Sequence, residues 1–128
     1  MRKLLLTAWS GVALSGVAFA QQIVSPEYFV ETVATNLSQP TTMAFVGTGE
    51  FLILEKATGK VKRFVDGVLQ NTALDLAVAN NGERGLLGIC LDPDFAINHF
   101  IYLYYSLAAN DGGTWFGNRI DRFVFNGT

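Results

Sequence analysis

Turn signals recur about every ten residues along this chain, and that spacing constrains the fold more than any other feature. Pro40, Gly47-Thr48-Gly49, Ala57-Thr58-Gly59, Asp66-Gly67 and Asp92-Pro93-Asp94 interrupt apolar runs too short to make helices. Strands are therefore predicted over 28–34, 41–46, 51–55, 61–65, 86–91, 100–106 and 119–125, with a looser segment near 74–78. The Ala-Thr-Gly turn makes 51–55 and 61–65 a hairpin, closed by Asp66-Gly67. Short strands at this spacing fit an all-β sandwich, barrel or propeller. Residues 86–91 and 100–106 are apolar on both faces or rich in aromatics, which suits sheets stacked on neighbouring sheets, as propeller blades are.

The first twenty residues read differently. MRKLLLTAWSGVALSGVAFA has two early cations, a short apolar stretch and a small-x-small ending, Ala18-Phe19-Ala20. That is the form of a signal peptide over residues 1–20, so residues 21–128 are expected in the periplasm or the medium, with no membrane span after cleavage. Losing Arg2 and Lys3 leaves seven Lys+Arg against eleven Asp+Glu and moves the net charge from −2 to −4. This acidity excludes a nucleic-acid partner, which needs clustered cations for phosphates. The one local basic set, Lys56, Lys60, Lys62 and Arg63, is flanked by Glu55 and Asp66 and reads as a solvated hairpin face. A single cysteine, Cys90, means the fold does not depend on disulfides; inside an apolar run it reads as a buried strand residue. Asn36-Leu37-Ser38 and Asn126-Gly127-Thr128 fit a glycosylation pattern that a bacterial-type export signal makes a chance match.

One loop invites a chemical reading. Gly82 and Gly85 bracket Glu83 and Arg84 immediately before the 86–91 strand. Glycines there let the backbone take positive φ or approach a ligand. The two charged residues either line a ligand channel or form a surface ion pair. Leu86 and Leu87 are expected in the core. Asp92-Pro93-Asp94 could offer carboxylates to calcium, but Asp-Pro is also a turn initiator, and the turn is the expected role.

Three stretches together resemble the glucose/sorbosone dehydrogenase family of soluble quinoproteins. They are Leu37-Ser38-Gln39-Pro40-Thr41-Thr42-Met43-Ala44-Phe45, the Leu52–Val61 hairpin, and Gly82-Glu83-Arg84-Gly85-Leu86-Leu87-Gly88 running to Asp92-Pro93-Asp94-Phe95. Ile101-Tyr102-Leu103-Tyr104-Tyr105 and Asn118-Arg119-Ile120-Asp121-Arg122-Phe123 follow in the family's order. The resemblance implies the first blades of a six-bladed β-propeller, incomplete at residue 128, and a parent enzyme that oxidises a sugar with pyrroloquinoline quinone and calcium. It also implies that Glu83, where glutamine is frequent, and the adjacent Arg84 face the cofactor. The family's general-base histidine, calcium ligands and quinone-carboxylate cations belong to segments beyond residue 128. His99 is therefore not the base, no catalytic or metal residue is expected in this chain, and the chain alone is expected to be inactive. The rival from another class is a non-catalytic secreted propeller binding a glycan or a protein. A third reading is an autonomous small β domain with a binding role.

Overall fold

The computed structural model describes residues 27–127, so the expected signal peptide lies outside the described residues. The chain divides into two units, Met1–Glu31 and Thr32–Thr128. Of the first, the described residues form no helix or strand.

The second unit is two antiparallel sheets. The first is a meander of β1 (Pro40–Gly47), β2 (Glu50–Glu55), β3 (Lys60–Val65) and β4 (Val68–Asp75), in that order. The second holds β5 (Leu86–Leu91), β6 (Phe100–Leu107) and β7 (Gly117–Val124), with the single turn of helix α1 (Phe95–Asn98) between β5 and β6. The turns follow their residue types. Asp66 and Gly67 both have positive φ, 49° and 76°, as a two-residue primed hairpin requires. Gly59 (φ 64°) is needed twice over, because a Cβ there would sit 1.8 Å from the Leu76 carbonyl oxygen.

The sheets pack face to face. Leu52, Leu54 and Val61 of the first sheet meet Leu86, Ile101, Leu103 and Tyr105 of the second, with Val78 of the connecting loop, in one cluster. Each such leucine, fully removed from water, stabilises by about 1.5–3 kcal/mol. The other face of the first sheet carries Phe51, Ile53 and Phe64, on which Ala34 and Leu37 pack; Phe51 and Phe64 stack at 5.3 Å. β2 is thus buried on both faces. Glu55, 4% exposed at its end, accepts from the Ser38 backbone N–H (3.0 Å) and the Thr58 hydroxyl (2.9 Å), which ties the 34–39 arm to the β2–β3 turn. The second sheet is fastened across β6 and β7 by Tyr105, whose hydroxyl donates to Asp121 at 2.6 Å. That bond, then Arg119 at 2.8 Å, holds the Asp121 carboxyl below the usual range.

Several expectations need correction. Residues 28–34 form no strand, because no neighbouring edge pairs with their backbone. β4 is a full strand over 68–75, where a loose segment near 74–78 was expected. Burial on both faces belongs to β2, whereas β6 alternates: Ile101, Leu103 and Tyr105 point to the core and Tyr104 to solvent. Cys90 is exposed: it pairs with Tyr102 on the outer face of the second sheet, opposite Ile89 and Leu91, which pack on the core. Leu87 is half-buried, because a register shift between Leu86 and Gly88 turns Leu86 alone fully inward.

Replacing Leu103 by Ala should cost about 2–5 kcal/mol in urea unfolding, as a fully buried leucine does. Ile120→Ala, on the exposed outer face, should stay within about 0.5 kcal/mol. Equal effects from the two would show that the sheet–sheet contact is not the core.

Candidate functional site

Three loops converge at one end of the paired sheets: 56–59 between β2 and β3, 76–85 between β4 and β5, and 108–116 between β6 and β7. Backbone bonds knit them together. The Leu86 N–H donates to the Lys56 carbonyl (2.9 Å), the Ser106 N–H to Gly85 (2.9 Å) and the Gly112 N–H to Val78 (2.9 Å). Side chains add to this: Asn80 Nδ2 donates to the Ala57 carbonyl (2.9 Å), and Asp111 Oδ1 accepts from the Val78 N–H (3.1 Å). Lys56 Nζ donates to the Gly82 carbonyl at 2.5 Å.

This knitting explains the bracketing glycines. Gly85 has φ 144°, and a Cβ there would lie 2.4 Å from the Lys56 carbonyl oxygen, so its close approach is to the chain's own backbone. Gly82 (φ 62°) faces open space and serves the turn.

Glu83 and Arg84 stand exposed on this loop. They are not paired with each other; the ion pairs among the described residues are Arg63–Glu50 (2.6 Å) and Arg119–Asp121 (2.8 Å). The Arg84 guanidinium lies over the ring of Trp115, 4.7 Å from its centroid, a contact worth about 0.5–1 kcal/mol at an exposed site. The Trp115 indole N–H in turn donates to Asn118 Oδ1 (3.3 Å), which also accepts from the buried Ser106 hydroxyl (3.0 Å). Sequence reasoning missed Lys56 and Trp115 as members of this cluster. The Trp115–Phe116 pair in a glycine-rich loop was a signal, but nothing in the sequence pointed it at Arg84.

The other candidates fall elsewhere. Asp92 holds its own turn: Oδ1 accepts from Asn98 Nδ2 (2.9 Å) and the Asp94 N–H (3.0 Å), and Oδ2 from the Tyr102 hydroxyl (2.8 Å). These bonds, Asn98 first, keep its carboxyl below the ordinary 3.8. His99 caps α1 in a left-handed conformation (φ 55°), edge-on to Phe95. It sits at the opposite end of β5, roughly 20 Å from Glu83 at about 3.3 Å per residue, beside a cleft of about 520 Å³ lined by Glu50, Phe95 and Phe125.

A model of the glucose/sorbosone dehydrogenase family matches residues 37–128, which contain both sheets and all three loops. The chain belongs to that family. It is similar to the quinoprotein glucose dehydrogenase B of Acinetobacter calcoaceticus, 28% identical over 102 residues. The solved oxidoreductase of Thermus thermophilus assigned as a glucose dehydrogenase is 35% identical with a TM-score of 0.65, matching 76% of this chain and 28% of that one. The PQQ-bound aldose sugar dehydrogenase of Streptomyces coelicolor is 31% identical with a TM-score of 0.61, matching 77% and 28%. The chain spans about a quarter of the curated relatives it matches, 27% and 21%. The all-β antiparallel sheets are those of such propellers. No helix among the described residues is long and apolar enough to cross a membrane.

Two groups implied by the family meet different fits. A planar quinone with carboxylates suits the exposed Arg84 and the nearby Lys56, while the Glu83 carboxylate opposes it. Calcium finds no fit: no group of three or more His, Cys, Asp or Glu among the described residues could hold it.

Asp92 accordingly acts as a staple, with a measurable pH signature. Its depressed carboxyl contributes stability present above pH 3.8 and lost as pH falls through its lower folded value. Tm against pH should show this acid-side loss in the wild type and a smaller one in Asp92→Ala. Calcium should leave both Tm values unmoved; a rise in the wild type alone would make the turn a metal site instead.

Proposed function

We propose that this chain is the amino-terminal part of an exported sugar dehydrogenase that oxidises an aldose by hydride transfer to pyrroloquinoline quinone. The observation that carries the reading is the exposed Glu83–Arg84 pair at the meeting point of three loops, on the family's strongest sequence motif. The named activities of the Acinetobacter, Thermus and Streptomyces relatives support it.

When bound, the quinone would supply the hydride-accepting redox chemistry. The residues of this chain bind and orient. The Arg84 guanidinium, braced by Trp115, presents N–H donors to a ligand carboxylate or carbonyl. The Glu83 carboxylate would oppose an anionic quinone, and Arg84 and Lys56 would offset that repulsion, a compensation that matters more as the site loses water. Gly85 brings the loop down onto the Lys56 backbone and so fixes where both side chains leave the surface. The family resemblance implies a histidine as the base for the sugar hydroxyl proton; His99, at the far end of β5 from this loop cluster, is not in place for that role, so the 128-residue chain by itself is expected not to turn over. Export rests on residues 1–20, whose pattern is that of a signal peptide.

The test begins with the gene locus downstream of codon 128. The extended product should reduce a dye when given an aldose, pyrroloquinoline quinone and calcium, and the 128-residue chain should not. An extended product that binds sugar without oxidising it would overturn the enzyme reading in favour of a non-catalytic propeller. Turnover by the 128-residue chain would overturn the partial-site reading.

A further inference from the structure

The Trp115 indole is 44% exposed, yet it is held by a hydrogen bond and a guanidinium contact. Its N–H is anchored to Asn118, and Asn118 to the buried Ser106 hydroxyl at the end of β6. The Arg84 guanidinium covers part of the ring from the neighbouring loop. A contact serving stability alone would bury the ring, since apolar area removed from water is what stabilises. Here both Trp115 and Arg84 stay in solvent, while the bonds around them remove ring freedom in advance. An aromatic plate fixed before binding keeps more of its contact energy, because little rotamer entropy remains to be lost.

We propose that Trp115, with Arg84 over its ring and Glu83 next to Arg84 in the chain, is a sugar-stacking subsite that holds the pyranose ring of the substrate. This rests on the sugar dehydrogenase reading and extends it by naming the residue that meets the sugar. A pyranose has one face of C–H groups and an edge of hydroxyls. The indole matches the face, and the carboxylate and guanidinium match the edge as acceptor and donor. The charges favour this over a second anion: a neutral sugar donates hydrogen bonds from its hydroxyls to the Glu83 carboxylate without the repulsion an anionic ligand would meet.

The experiment uses the full chain labelled with ¹⁵N and titrated with D-glucose, with glycerol as a hydroxyl-bearing probe that has no ring. The indole N–H signal of Trp115 is identified by its loss in Trp115→Phe. It should move saturably with glucose and not with glycerol. Trp115→Ala should weaken glucose binding about tenfold, as loss of an aromatic contact does. Trp115→Phe should restore most of it, and Arg84→Ala should weaken it less than Trp115→Ala. Circular dichroism of each variant separates lost binding from lost fold.

If other residues respond to glucose while the Trp115 indole does not, the sugar sits elsewhere and this inference falls, with the dehydrogenase reading intact. The same holds if the extended product oxidises glucose and no Trp115 response is seen in it. A saturable Trp115 shift in a protein that never oxidises sugar would support the subsite and sink the enzyme reading.

Discussion

Leu52 and Leu54 on one sheet pressed against Leu86, Ile101 and Leu103 on the other are the contact from which the rest of the molecule follows. Among the described residues the only helix is the single turn α1, so the sheets depend chiefly on each other to remove their inner faces from water. β2 is the most dependent strand. Its inner residues meet the second sheet, and its outer residues meet the arm carrying Ala34 and Leu37. Met43 and Phe45 on one outer face, and Tyr104, Ile120 and Val124 on the other, remain exposed.

That packing decides where the functional loops lie. The 56–59 turn leaves the first sheet, the 108–116 loop leaves the second, and the 76–85 loop crosses between them. Their convergence is a consequence of stacking the sheets in one orientation. The short backbone bonds from Leu86 to Lys56 and from Ser106 to Gly85 then lock the spacing. The Arg84–Trp115 contact joins the crossing loop to a loop of the second sheet, where Gly85 is itself bonded to Ser106 of β6.

Much of the framework was legible along the chain because turn chemistry is local. Asp66-Gly67 and Gly59 announce hairpins through φ angles other residues avoid, and β2, β3 and β5 lie within a residue of where the turns predict them. β4 was less legible: Gln70 and Asn71 have little strand signal of their own and are extended because β3 offers an edge to pair with. Cys90 illustrates the opposite error. A continuous apolar run does not reveal which face is covered, and only the partner sheet puts Ile89 and Leu91 inside and Cys90 out.

The candidate site divides in the same way. The Gly-x-x-Gly bracket singled out Glu83 and Arg84, because glycine at a strand entrance is a covalent and conformational fact readable in one dimension. Local sequence also determined the all-β class, the hairpins and the family motif. Tertiary structure alone decided that Arg84 lies on Trp115 rather than pairing with Glu83, that Lys56 joins the same loop cluster, and that His99 is at the far end of β5. The physical reason is that such contacts are long-range. They exist only after two sheets have buried their inner faces against each other, and that burial depends on side-chain packing between strands far apart in the chain.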